Sequence, residues 1–140
     1  MAIGKTFVTT INCMDGRVQI PVNEYMVSKF KADYVDTITE AGPNKILADA
    51  DNAVLIESIK ARYEVSTVKH DSKVVAIVGH YDCGGNTAEE KEQLEQIKMA
   101  CEHVAKWNTD VNVIGLWVDE TWTVNEIVSM EQSELINVSV

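Results

Sequence analysis

Short, dense apolar runs alternate along this chain with longer stretches in which apolar residues return every three or four positions. The runs are strand-like and the stretches helix-like. Their alternation predicts an α/β domain with a mainly parallel sheet of four to five strands flanked by helices. Thr6 to Asn12 reads as the first strand, and Pro21 opens a short helix with Val22, Met26 and Phe30 on one face. Tyr34 to Thr39 is the second strand, closed by Glu40-Ala41-Gly42-Pro43-Asn44. Residues 45–63 read as one helix, striped by Leu47, Ala50, Val54 and Ser58 and widened by Leu55 and Ile59. Glu64 to Ser72 is polar and predicts a loop. Lys73 to Gly79 is almost wholly apolar and rich in β-branched residues, the pattern of a central strand buried on both faces. Thr87 and Glu90 form a capping-box pattern for the next helix, with a core stripe of Leu94, Ile97, Cys101 and Val104. Val111 to Val118 is a fourth strand, and Thr123 to Met130 a fifth strand or an edge arm.

Length narrows this to a single domain over residues 1–140. The net charge of −10 argues against nucleic acid or an anionic membrane as partner, since both reward a basic face. No apolar stretch approaches the ~20 residues of a membrane span, and Met1-Ala2-Ile3-Gly4-Lys5 leads into the first strand without a signal core. Three cysteines are an odd count without the spacing of a disulfide scaffold, which predicts reduced thiols and a cytoplasmic location.

The chemistry concentrates just past two strand ends. Cys13-Met14-Asp15-Gly16-Arg17 follows the first strand, and His80-Tyr81-Asp82-Cys83-Gly84-Gly85 follows the central one. In an open parallel sheet that edge is where ligand sites form. Cys13, His80 and Cys83 are two thiols and an imidazole, the ligand set of a Zn2+ site with one position open to water. The glycines after Cys83 let backbone N–H groups approach its sulfur. Asp15 has two possible roles: to ligate the metal and close the site, or to accept a hydrogen bond from a zinc-bound hydroxide and orient it. Arg17 is its natural partner in either state. Two thiolates and a neutral imidazole leave the zinc site uncharged, which predicts a weaker Lewis acid than a three-histidine site and activity that rises with pH.

Elsewhere the bland readings win. Cys101 packs in a helix stripe, His70 and His103 are solvated, and Trp107, Trp117 and Trp122 are core or interface anchors. Asp82 is divided evenly between supporting the site and facing solvent, and Glu40 is assigned to water.

The paired motifs resemble those of the β-class carbonic anhydrases, with Ala41-Gly42, Asn44 and Gly115-Leu116-Trp117-Val118-Asp119 as weaker matches. The resemblance runs from Thr6 to about Val128. It implies a single β-carbonic-anhydrase-like zinc domain that hydrates CO2 reversibly to bicarbonate, with Asp15 and Arg17 as catalytic pair, and a homodimer or higher homo-oligomer whose partner lines the pocket. Thr39-Glu40 and Pro43 depart from the family pattern, and the segments before the first strand and after Cys83 are short. Two alternatives stay open: a carbonyl sulfide or carbon disulfide hydrolase on the same site, and a non-catalytic zinc domain with Asp15 as fourth ligand. A redox protein is disfavoured, because Cys13 and Cys83 form no Cys-x-x-Cys pair.

Overall fold

The computed structural model describes residues 4–131. The expectations for Met1–Ile3 and for the tail after Glu131 lie outside the described residues. Among the described residues five strands form one sheet: β1 (Phe7–Cys13), β2 (Tyr34–Glu40), β3 (Val74–His80), β4 (Asn112–Val118) and β5 (Val124–Met130). Their order is β2-β1-β3-β4-β5; the first four run parallel and β5 closes one edge antiparallel. The central strand is β3, as its unbroken apolar run requires, and every residue from Val75 to His80 is buried. Met130 ends the fifth strand, so the edge-arm alternative is settled in favour of a strand.

Helix α1 (Gln19–Phe30) covers one face of the sheet. There Val22 and Met26 meet Val8, Ala76, Val78, Ile114 and Leu116. Helices α2 (Pro43–Asp49), α3 (Ala53–Glu64) and α4 (Glu90–Ala105) cover the other. There Leu47, Ile59, Tyr63, Ile97 and Cys101 pack on Ile11, Val75, Ile77 and Val113. Burial raises the Cys101 thiol to about 12, as an inert packing residue requires.

Three local expectations are corrected. Residues 45–63 are two helices. The chain breaks at Ala50, which sits at φ 54, and Asn52 restarts it by accepting the Leu55 N–H at 3.1 Å. The break re-phases the stripe, so that Ile56, Ile59 and Tyr63 are buried while Ala50, Val54 and Ser58 face out. The polar segment after Glu64 is not all loop: Val65–Lys69 continues α3 as one wide π-type turn. Buried Ser66 and Thr67 explain it, because Ser66 Oγ donates to Asp36 at 2.6 Å and Thr67 Oγ1 to the Tyr63 carbonyl at 3.1 Å. The capping box does not form. Helix α4 begins only at Glu90, with Glu89 as an extended N-cap lacking a side-chain bond. The loop before it is tied instead by Asn86, whose Oδ1 accepts the Ala88 N–H at 3.3 Å.

Pro21 is tolerated two residues inside α1, in the first turn, where its missing N–H would have no helical partner. Neither remaining histidine is simply solvated. His70 Nδ1 lies 2.6 Å from Asp36 and its ring stacks on Phe7, and His103 Nδ1 donates to the Leu47 carbonyl at 3.1 Å. Trp117 is buried and Trp107 packs edge-on against Tyr63, both core roles.

The strand order fixes where a site can form. From β1 the chain crosses over through α1 to β2 on one side, and from β3 through α4 to β4 on the other. The crossovers diverge between β1 and β3 and leave a crevice at the carboxyl ends of those two strands. Ile11 pairs with Ile77, so Cys13 and His80 end their strands side by side.

Candidate metal centre

Cys13 is the last residue of β1, His80 the last of β3, and Cys83 follows three residues later. The turn between the latter two passes through Asp82 at φ 56, a left-handed conformation that aspartate tolerates. All three side chains are buried, and their donor atoms lie within 4.8 Å of one another. The two sulfurs are 3.8 Å apart. That is the spacing of two ligands on one tetrahedral ion with metal–sulfur bonds of ~2.3 Å. His80 Nδ1 sits 2.7 Å from the Tyr81 carbonyl; a carbonyl only accepts, so Nδ1 carries the proton and Nε2 keeps its lone pair. Among the described residues Nε2 is buried without a hydrogen-bond partner. An orphaned imidazole nitrogen facing two thiols fits a metal ion.

The electrostatics favour a thiolate here. The Cys13 pKa is pulled well below its usual value, first because Cys83 donates to its sulfur, with His80 and the backbone N–H groups of Asp15 and Gly42 adding to the effect against burial. The same contact and burial push Cys83 up, so the two thiols share one proton in the metal-free site. Burial alone would lower His80, but the nearby Cys13 sulfur and the Tyr81 carbonyl outweigh it and raise its pKa.

Asp15 stands beside this cluster, its Oδ2 3.9 Å from His80 Nε2. Arg17 grips it: the Arg17 backbone N–H and Nε donate to Oδ1 at 2.9 and 3.1 Å, and Nη2 donates to Oδ2 at 2.7 Å. That grip, above all else, lowers the Asp15 pKa to about 2. Arg17 also reaches Asp82, with Nη1 on Oδ2 at 3.2 Å and Nη2 on its carbonyl at 3.0 Å. Asp82 thus does both things the sequence allowed, supporting Arg17 while its side chain stays largely in water. Glu40 does not point freely to solvent; its carboxylate pairs with Arg62 of α3.

Several supporting residues were not singled out from sequence. Gln19 Nε2 donates to the carbonyls of Cys13 and Asp15 at 2.7 and 2.9 Å and so pins the first motif. Buried Gln93 donates to the His80 and Ala88 carbonyls at 3.0 and 3.1 Å and accepts from Asn44 Nδ2 at 3.1 Å. Asn86 Nδ2 extends the network to Gln96 at 2.7 Å. One signal was present: Gln93 lies four residues before Ile97 and shares its buried helix face. The weak Ala41-Gly42 match also gains a physical cause. A Cβ on Gly85 would lie 2.6 Å from the Ala41 carbonyl carbon, so the two loops touch backbone to backbone. This contact holds the Gly42 N–H against Cys13.

Fold and centre together define a mainly parallel α/β domain with a Cys-His-Cys, metal-capable group at its switch point. Residues 3–128 match the family model described as "Putative carbonic anhydrase", and the chain belongs to that family. Among solved structures it is similar to a carbonic anhydrase from Glaciozyma antarctica (15% identity, 86% of this chain and 81% of that one covered, TM-score 0.58). It is also similar to the β-carbonic anhydrase CafA of Aspergillus fumigatus (16% identity, 99% and 83% covered, TM-score 0.50). A further match is to tetrameric β-carbonic anhydrases from Sordaria macrospora (14% identity, 89% and 82% covered, TM-score 0.49). A search of curated proteins returns no match. Among the described residues no helix is long and apolar enough to cross a membrane.

Proposed function

We propose that this protein is a zinc enzyme that hydrates CO2 reversibly to bicarbonate, with Cys13, His80 and Cys83 as ligands and Asp15 and Arg17 as catalytic pair. One observation carries the reading: a carboxylate clamped by arginine, 3.9 Å from the orphaned nitrogen of a three-donor cluster and outside that cluster. Thiolate and imidazole donors select zinc over the hard oxygen-seeking cations. A zinc ion supplies Lewis acidity that makes water nucleophilic near neutral pH. Asp15, ionised down to about pH 2, can only accept hydrogen bonds. It therefore accepts one from the reacting water and fixes which lone pair faces CO2. Arg17 occupies both Asp15 oxygens, which holds the carboxylate back from the fourth ligand position.

Three free cysteines fit a reduced, cytoplasmic setting. At the carboxyl edge of the sheet Met14, Ile20 and Tyr81 are 65%, 68% and 49% exposed. Such an apolar rim suits cover by a second copy, hence a homodimer or larger homo-oligomer.

The test is stopped-flow CO2 hydration, near neutral and at mildly alkaline pH, with zinc content measured on the same sample. Zinc-dependent turnover that rises with pH supports the reading. Asp15→Asn should keep zinc and lose most of kcat. Full zinc occupancy with no hydration at either pH would overturn it.

A further inference from the structure

We propose that Trp122 is a positioning residue: its indole, stacked on Arg17, holds the guanidinium on Asp15 and so keeps that carboxylate off the metal. The inference rests on the zinc reading above and deepens it.

Arg17 Cζ lies 4.5 Å from the centroid of the Trp122 ring. The edge of the guanidinium is spent on Asp15 and Asp82, which leaves its faces, and the indole covers one of them. Of the two acidic partners, Asp82 is a poor anchor, because its side chain is 69% exposed and water competes for Arg17. The flat contact with Trp122 is what resists the guanidinium swinging outward.

The backbone gives independent support. Trp122 sits at φ 61, a left-handed conformation that is an outlier for a bulky residue and that glycine adopts freely. The β4–β5 turn is built to hold it there. Asp119 Oδ1 accepts the N–H groups of Thr121 and Thr123 at 2.9 and 3.1 Å, and the Asp119 carbonyl accepts that of Trp122 at 2.9 Å. The Thr121 hydroxyl, donating to Oδ1 at 2.7 Å, and then Asn125 Nδ2, donating to Oδ2 at 3.0 Å, with the two backbone N–H groups on Oδ1, keep the Asp119 carboxyl at about 2. A turn that spends an aspartate to hold tryptophan where glycine would rest unstrained points to the side chain as the reason. The same ring lies 6.4 Å from both His80 and Tyr81 of the second motif while covering Arg17 of the first, so it spans the two. Loss of the indole frees Arg17, and Asp15 then competes for the fourth ligand position.

The experiment compares wild type, Trp122→Gly, Trp122→Phe and Arg17→Met in two forms. In the cobalt(II)-substituted protein, azide titrated against the visible spectrum reads how open the fourth position is. In the metal-free protein, 15N relaxation at Arg17 Nε reads the order of the guanidinium in every variant that retains it. We expect Trp122→Gly to weaken azide binding about fivefold or more, the worth of one partly exposed cation–π contact, and to make Arg17 Nε mobile. Trp122→Phe should restore most of both, and Arg17→Met should reproduce the closed spectrum. A purely structural role predicts a lower melting temperature with azide affinity and Arg17 order unchanged, which would overturn the proposal. If wild-type cobalt protein ignores azide, the open-site reading fails by itself, and an Arg17 Nε as ordered in Trp122→Gly as in wild type overturns the Trp122 role separately.

Discussion

Gln93→Met is the sharpest test of how the fold holds the candidate centre. Methionine matches glutamine in length and helix propensity, so the backbone of α4 has no reason to move. The amide is lost at a site only 1% exposed. Its Nε2 serves the buried His80 and Asn86 carbonyls and the half-buried Ala88 carbonyl, and its Oε1 accepts from Asn44, so three buried polar partners are stranded together. Each buried group left without a partner costs ~1–3 kcal/mol, and the low end gives a loss of about 3 kcal/mol. For a domain of this size that corresponds to a fall in melting temperature of about 10 °C. The His80 carbonyl is also the start of the turn to Cys83, so zinc affinity should drop, by about tenfold as is usual for the outer partners of metal ligands. Urea denaturation of the metal-free protein measures the first effect, and competition with a chromophoric chelator the second. A variant within about 1 kcal/mol of wild type that binds zinc equally well would refute the reasoning. It would mean that water replaces the amide and that the buried network is not what fixes His80.

Arg17→Met should raise the Asp15 pKa from about 2 toward its ordinary 3.8, read from the carboxyl carbon shift during an acid titration of the metal-free protein. The sign follows from linkage: the clamp's stabilisation is complete above the ordinary value and is lost as pH falls through about 2, so the variant is less stable than wild type above about 3.8 and the difference closes as pH falls toward 2. Gly85→Ala should destabilise by ~1–3 kcal/mol and weaken zinc binding, because the new Cβ would meet Ala41 at 2.6 Å. Gly84→Ala, with nothing within 4 Å, should do neither, and equal melting curves for the two variants would contradict the packing argument. Zinc at a thousandfold excess over its Kd should stabilise by about 4 kcal/mol. A chelator that leaves the melting temperature of the loaded protein unchanged would show that Cys13, His80 and Cys83 do not bind the metal.

The interior strands were legible because burial on both faces leaves little choice of residue: Val74–His80 admits almost nothing polar, and its pattern alone made it central. The helix over residues 45–63 misled because Ala50 and Asp51 are compatible with a helix by propensity. The break is made by a left-handed turn at Ala50 and the Asn52 cap, and tertiary packing of Ile56, Ile59 and Tyr63 then sets the phase. The capping box failed for a related reason. Thr87 and Glu90 have the right spacing, but Asn86 and Gln93 organise the loop before the helix through Asn44, far away in sequence: Asn86 Nδ2 donates to Asn44 Oδ1 at 3.3 Å, and Gln93 Oε1 accepts from Asn44 Nδ2 at 3.1 Å.

The centre divides along the same line. Cys13, His80, Cys83, Asp15 and Arg17 carry chemistry that few other residue types can supply, and each motif directly follows a strand, so sequence alone could place them together. Gln19, Gln93, Asn86 and Trp122 act on those residues through amides and an aromatic face, groups that serve equally well in any core or turn. Their role exists only once the topology brings α4 and the β4–β5 turn to the ends of β1 and β3. The two kinds of information meet at Arg17. Its partner Asp15 is two residues away and was foreseeable, whereas Trp122 arrives from the far end of the sheet, on a hairpin whose strained backbone is the one local sign that the ring matters. A site of this kind is written in the chain by its reactive atoms and set in place by residues whose sequence signal is indistinguishable from ordinary packing.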